Sequence, residues 1–444
     1  MGCDLRKEIC IFVKLEKQEV DLGVVSKIKY GIKQNQREVK DIFYLIVLQG
    51  LTYIIPLLVL PYLMKVLGAE KFGYIGFALS VCQYLMLFVD FGFNLSATKR
   101  IALSLDNKEE LNRIFSSTVY AKLGLLICSF ILLLTMSLIP QFAVYRSTMF
   151  VMFLMVLGQA GLFVFLFQGI GEIKWVSIFN CMAKVAVLPL TFVLVKSPDD
   201  VLFAAFLQGF VAVAAMLISW GMIVKKKWVQ LVKVKFKDIK TELSESFPLF
   251  LSTAATSVYT ACFVLILGYF AQPEEVGQYS AVDRVMRALC YLVLVPILQV
   301  YYPKISALAK DNIALARSRV KGLLAVVLAG MFIIAIFLYF CSPIMIKFLG
   351  DDYLDSEGLF KIMAFVPIFV GMGGVFGQLI LLAIGDDKDK KHFSRVYIVA
   401  AVVAICGVIF LSSIYGMYGT AVALLITEIV VVLLFLLRVL KTRK

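Results

Sequence analysis

The chain alternates long apolar blocks with short polar breaks. After a polar, charged stretch over residues 1–41, blocks of about 20 apolar residues recur at near-regular intervals, each long enough to cross a hydrocarbon core about 30 Å thick as a helix. The pattern predicts spans near 42–64, 73–94, 114–138, 147–169, 175–195 and 201–224, then 246–270, 276–300, 322–343, 359–384, 396–415 and 418–437. A strand barrel would show ten-residue segments of alternating polarity, and these are missing. The expected fold class is an all-α integral membrane protein of twelve transmembrane helices. Residues 1–41 lack the compact apolar core of a cleaved secretory signal, so the first helix is expected to direct insertion.

Composition sharpens this picture. Of 444 residues, 61% are hydrophobic and 17% charged, which leaves too little polar surface to coat a soluble globule. The formal net charge of +14 could suggest nucleic acid, but the basic residues collect in alternate loops, as the preference of Lys and Arg for the cytoplasmic side requires. "KKKWVQLVKVKFKDIK" and "KDKKHFSR" fall on one side and the acidic "GDDYLDSE" on the other. Both termini are then expected in the cytoplasm, and no nucleic-acid partner is expected. Nine scattered cysteines without a C-x-x-C pair, and a single histidine, His392, imply no metal and no cofactor. Without a soluble domain or a nucleophile motif, a transporter is expected rather than an enzyme.

Sliding the chain on itself by about 205 residues sets "KRIALSLDN" (99–107) on "KISALAKDN" (304–312), and Gly73 close to Gly277. This predicts two six-helix lobes related by a pseudo-two-fold along the membrane normal. The expected parts are a cytoplasmic tail (1–41), an N-lobe (42–224), a basic linker (225–245) and a C-lobe with its short tail (246–444). Parallel repeats of this kind hold a substrate between the lobes and rock around it. Polar stripes at helical spacing, Gln49, Thr52, Tyr53 and Pro56 in the first span and Thr253, Thr256, Ser257 and Thr260 in the seventh, serve helix packing, cavity lining, or both.

Charges inside the spans discriminate better, since each costs on the order of 2.5–3.5 kcal/mol at a helix centre on insertion scales. Lys361 and Asp90 sit near span ends and can reach water. Lys184 and Glu428 lie near mid-membrane, with Lys122 and the Asp283, Arg284, Arg287 group about a third of the way in. Asp283 and Arg287 are spaced to pair on one helix face, which accounts for two charges as a bundle-stabilising pair and leaves Arg284 over. Guanidinium groups match phosphate oxygens in a fork, so the surplus of bases suits an anionic, phosphorylated substrate. Glu428 is the leading ion-coupling candidate, because burial raises a carboxyl pKa; Asp283 and Asp90 are the others.

"QGLTYIIPLLVLPYLMKVLGAEKFGYIGF", "FVDFGFNLSATKRIA", "FLFQGIGEIKW" and "YYPKIS" together resemble the O-antigen flippases of bacterial polysaccharide biosynthesis. These belong to the superfamily of multidrug, oligosaccharidyl-lipid and polysaccharide exporters. The likeness covers most of 42–438 and departs at Phe165, often Trp in that family, and in the longer tail. It implies a substrate of oligosaccharide repeat units linked to undecaprenyl diphosphate, turned over from the cytoplasmic to the periplasmic leaflet of the bacterial inner membrane. The pathway's polymerase and chain-length regulator would be partners. Arg284, Arg287, Lys122 and Lys184 would then attract the diphosphate or acidic sugars. A multidrug antiporter of the same superfamily, a two-lobe solute symporter and a membrane enzyme of the same pathway remain as alternatives.

Overall fold

The computed structural model describes residues 59–441, apart from the side chains of Ser252, Ala255, Thr256, Val258 and Thr260. The predicted first span therefore falls mostly outside the described residues, with Gln49, Thr52, Tyr53 and Pro56. Every regular element among the described residues is helical. They are α1 (59–90), α2 (Phe93–Leu103), α3 (Lys108–Ser137), α4 (Arg146–Gly161), α5 (Val164–Gly169), α6 (Lys174–Leu194), α7 (Val201–Lys226) and α8 (Phe236–Phe270). Then come α9 (Pro273–Asp311), α10 (Ile313–Phe340), α11 (Ser342–Leu349), α12 (Glu357–Met363), α13 (Val366–Gly374), a π-helical stretch (Val375–Leu382) and α14 (Asp387–Lys441). Among the described residues, eight helices are long and apolar enough to cross a membrane, or nine if a bent pair counts as one span. The chain is a multi-pass membrane protein.

Departures from straight helices have local causes. In α1, Gly68 takes a left-handed conformation (φ +70°), which only glycine adopts readily. The limbs on either side fold back on each other. Val59 and Gln83 line one cavity, although a straight helix would hold them about 36 Å apart. The predicted span 359–384 bends by 43° between Asp351–Met363 and Val366–Leu382. Pro367 at the bend lacks a backbone N–H and crowds the carbonyl one turn back. In α14, Gly416 (φ 54°, ψ −131°) separates two limbs. Glu275 of α9 accepts the Met417 N–H at 3.0 Å, capping the second limb's exposed amides with a negative charge.

The two ends of the bundle differ. At the acidic end, the Gln278 side-chain amide donates to the Asp352 carbonyl at 2.8 Å, and Gly68 lies against Asp352. Here Gly73 and Gly76 of α1 meet Pro273, Gly277 and Ser280 of α9, so closely that an added Cβ would overlap the facing atoms. At the basic end, residues 225–235 run along α3: the Gln230 amide donates to Asn112 and the Val232 amide to Ser116 (2.8 and 2.9 Å). The first turns of α8 then dock on α2 and α3. Glu242, 1% exposed, takes Arg100 at 2.6 Å and Ser117 at 3.0 Å; Ser96 and Ser246 share a hydrogen bond of 2.6 Å; Phe91 stacks on Phe250 at 4.6 Å. Further along, α8 packs on α14, with Tyr259 and Tyr397 rings 5.3 Å apart. One helix thus bridges the early and late parts of the chain.

Candidate functional site

A cavity of about 770 Å³ opens between both limbs of α1, α4, α6 and α7 on one side and α8 and α9 on the other. Much of its wall is aliphatic, as expected where helices face each other in a bilayer. Into it project Lys184 from the middle of α6, and Asp283, Arg284 and Arg287 from adjoining turns of α9. Helical spacing aims these α9 residues at one wall. Positions 280, 284, 287, 288 and 291 recur every three or four residues and all line the cavity.

The predicted pair forms. Arg287 Nε lies 2.8 and 2.9 Å from the two carboxylate oxygens of Asp283, and both side chains keep some exposure, 20% and 14%. Arg284 has no carboxylate at ion-pair distance among the described residues; its guanidinium stands over the Phe72 ring at 5.0 Å, a contact that supports a cation without neutralising it. Glu428 of α14 is buried, 3% exposed, and is hydrogen-bonded by Tyr259 with Arg287 and Asp283 as its charged neighbours. It does not itself line the cavity.

Lys122 and Asp90 meet elsewhere. Their charges pair at 3.0 Å, and Lys122, 3% exposed, also faces the Phe165 ring at 5.5 Å. Asn94 donates to Asp90 from the next turn. Lys122 is set against the apolar cluster of α2, α3 and α5, Asp90 keeps 26% exposure, and neither lines the cavity. In α8 the cavity wall is Ala261 and Val264. Thr253 turns back to the Leu249 carbonyl at 2.9 Å, Ser257 is half-buried, and the side chains of Thr256 and Thr260 lie outside the described set. No group of three or more His, Cys, Asp or Glu gathers among the described residues to hold a metal.

Comparison with known proteins supplies the family. The sequence profile of the family described as "Polysaccharide biosynthesis protein" matches residues 39–309. The chain belongs to this family. It is 30% identical to the "Putative O-antigen transporter" of Escherichia coli (strain K12), over 90% of this chain and 95% of that one. Among solved structures it is similar to the lipid II flippase MurJ in an inward closed conformation (TM-score 0.69, 15% identity, 89% of this chain and 87% of that one). An inward-facing multidrug resistance MATE family transporter matches with TM-score 0.64 and 11% identity, over 88% and 99% of the two chains.

Within this family member, the sequence reading passed over a ring of amides. Gln83, Gln159, Asn180 and Gln208 each come from a different part of the wall, and the Gln208 Nε2 and Ser280 Oγ have no hydrogen-bond partner among the described residues. A buried amide without a partner costs about 1–3 kcal/mol. Such groups are suited to ligand hydroxyls or water. The signal was present as one amide in an otherwise apolar block, as in "SVCQYLM" and "VLGQAG".

Proposed function

We propose that the protein is a flippase that carries undecaprenyl-diphosphate-linked O-antigen repeat units from the cytoplasmic to the periplasmic leaflet of the bacterial inner membrane. The observation that carries this reading is the convergence of Lys184, Arg284 and Arg287 on one cavity in a member of the polysaccharide biosynthesis family. Bases attract a diphosphate, the cavity amides and the unpartnered Gln208 Nε2 among them suit sugar hydroxyls, and about 770 Å³ admits the diphosphate and first sugars while the polyprenyl tail stays in lipid.

Two six-helix lobes, 42–224 and 246–444, with both termini cytoplasmic, would rock about an axis passing between Gly73 and Gly277. The reciprocal approach of these glycines, 204 positions apart in the sequence, supports that axis, since equivalent positions meet on a two-fold. With the acidic end facing the periplasm, this state is closed outward. Opening would separate the glycine contact and bring the α9 charges toward release. Lys122 and Asp90, coupled through α3 to the end of α1, would form a second charged element that senses the same motion. Glu428 would link transport to protons, because its neighbours Arg287 and Asp283 belong to the substrate wall. The pathway's polymerase and chain-length regulator would receive the product.

In a strain whose surface polysaccharide depends on this protein, its deletion should leave the lipid-linked repeat unit in the cytoplasmic leaflet. Wild type should restore export and Arg284→Gln should not. Accumulation in the periplasmic leaflet would reject the reading. Full transport by Glu428→Gln across an imposed proton gradient would reject the coupling alone.

A further inference from the structure

A second, smaller pocket of about 240 Å³ lies away from the cavity, at the basic end of α14. Its wall is formed by Lys388, Lys391, His392 and Arg395 from the first limb of the helix and Arg438 from the returning limb. The first four are spaced i, i+3, i+4 and i+7, so they occupy one face. A preference of basic residues for one side of the membrane explains their number but neither their common face nor the concavity that Arg438 closes.

The nearby acids are already engaged. Asp389 takes Arg438 at 2.7 Å and Asp387 takes Lys390, which is outside the pocket, at 3.1 Å. Lys388, Lys391 and Arg395 have no ion pair among the described residues. Continued along the helix, the same face passes from Arg395 to Ile398, Val399 and Val402, all exposed. The seven steps from Arg395 to Val402 cover about 10 Å of rise. The surface is therefore cationic where headgroups lie and apolar where chains lie, within reach of a single lipid molecule.

We propose that this pocket holds the phosphate headgroup of an anionic phospholipid whose acyl chain lies along Ile398, Val399 and Val402. The bound lipid fastens the open end of the last hairpin, where its two limbs begin and finish, to the leaflet at the basic end. An inorganic phosphate would use the cations alone, and a polyprenyl diphosphate would use both surfaces. The test must separate these sources.

Native mass spectrometry of the full-length protein in mild detergent, with phosphatidylglycerol or chain-matched phosphatidylcholine added, reads retention directly and involves no transport, so its outcome is independent of the flippase reading. Wild type should retain phosphatidylglycerol in preference. At about fivefold per basic residue near a membrane surface, the triple substitution Lys388→Gln, Lys391→Gln, Arg395→Gln should lower that retention about a hundredfold. Lys391→Gln and Arg395→Gln alone should each lower it about fivefold, which keeps the test decisive if the triple variant aggregates. Lys388→Arg with Lys391→Arg should keep it. Equal retention of the two lipids by wild type, or undiminished retention by the glutamine variants, would overturn the proposal. Displacement of the lipid by equimolar inorganic phosphate would overturn the acyl-chain contact. Preferential retention of undecaprenyl diphosphate, lost in the same variants, would give the pocket to the transported lipid instead.

Discussion

Two acid–base pairs lie within the helical bundle, and their surroundings set them apart. Lys122, 3% exposed, sits against the apolar cluster of α2, α3 and α5 while Asp90 keeps 26% exposure and neither lines the cavity, whereas Arg287 and Asp283 line it, with an additional cation, Arg284, one position along. Pairing alone does not separate a structural charge from a working one. What separates them is whether the pair faces the cavity, and whether the local charges cancel. At α3 they cancel. At α9 they leave a positive remainder facing open space.

The largest expected effect breaks this comparison through stability. Asp90→Ala should strand the buried Lys122 ammonium, a loss of about 3–5 kcal/mol for a pair broken on one side only. Adding Lys122→Met should recover most of it. Asp283→Ala should cost less, because Arg287 retains access to the cavity. If thermal unfolding in detergent ranks Asp283→Ala as the more damaging, the contrast between the two sites is wrong.

Function should rank the sites the other way. Arg284→Gln removes a cation with no carboxylate partner among the described residues, so unfolding should be nearly unchanged while export of repeat units falls by about tenfold or more, the worth of one charge-assisted hydrogen bond. Unchanged surface polysaccharide would remove Arg284 from the substrate site.

The closure between the halves gives a smaller effect. Gly277→Ala would drive a methyl group into the Ala69 carbonyl, and overpacking typically costs about 1–3 kcal/mol. If the acidic end opens during transport, the cost falls on the closed state only. Spin labels placed across that end, beside Gly73 and Pro273, should then show a larger open population. An unshifted distance distribution would mean that this contact does not move.

The features that sequence reading finds follow from local spacing. Helices matching the spans predicted from 73–94 onward appear because twenty apolar residues are a strong signal in any context. The Asp283–Arg287 pair was legible because both residues lie on one helix. The partnership of Lys122 with Asp90 was not, since it joins residues 32 positions apart on different helices, and Asp90 near a span end reads as a residue reaching for water. The docking of Glu242 on Arg100, across 142 positions, was equally hidden within a linker that reads as basic. The amide ring was visible residue by residue but acquires meaning only once four helices face one space.

The smallest effect tests a third pair, with one member buried and one partly exposed as in Lys122–Asp90 but with the signs reversed: Glu242 is sealed while Arg100 is a quarter exposed. Burial pushes the Glu242 carboxyl above its ordinary value of 4.5, outweighing the attraction of Arg100 and the hydrogen bond from Ser117. A folded-state pKa above the unfolded one means that the folded protein binds the extra proton first. Its contribution to stability is therefore greatest in acid and is lost as pH rises through the window above 4.5. Glu242→Gln, fixed in the neutral form, should lie within about 1 kcal/mol of wild type at neutral pH, because Arg100 keeps Glu245 at 3.4 Å and Glu110 at 3.9 Å. Relative to the variant, wild type should gain stability as pH falls toward 4.5. A wild-type protein that instead loses ground to the variant on acidification would show that the Arg100 pair, and not burial, governs this carboxylate.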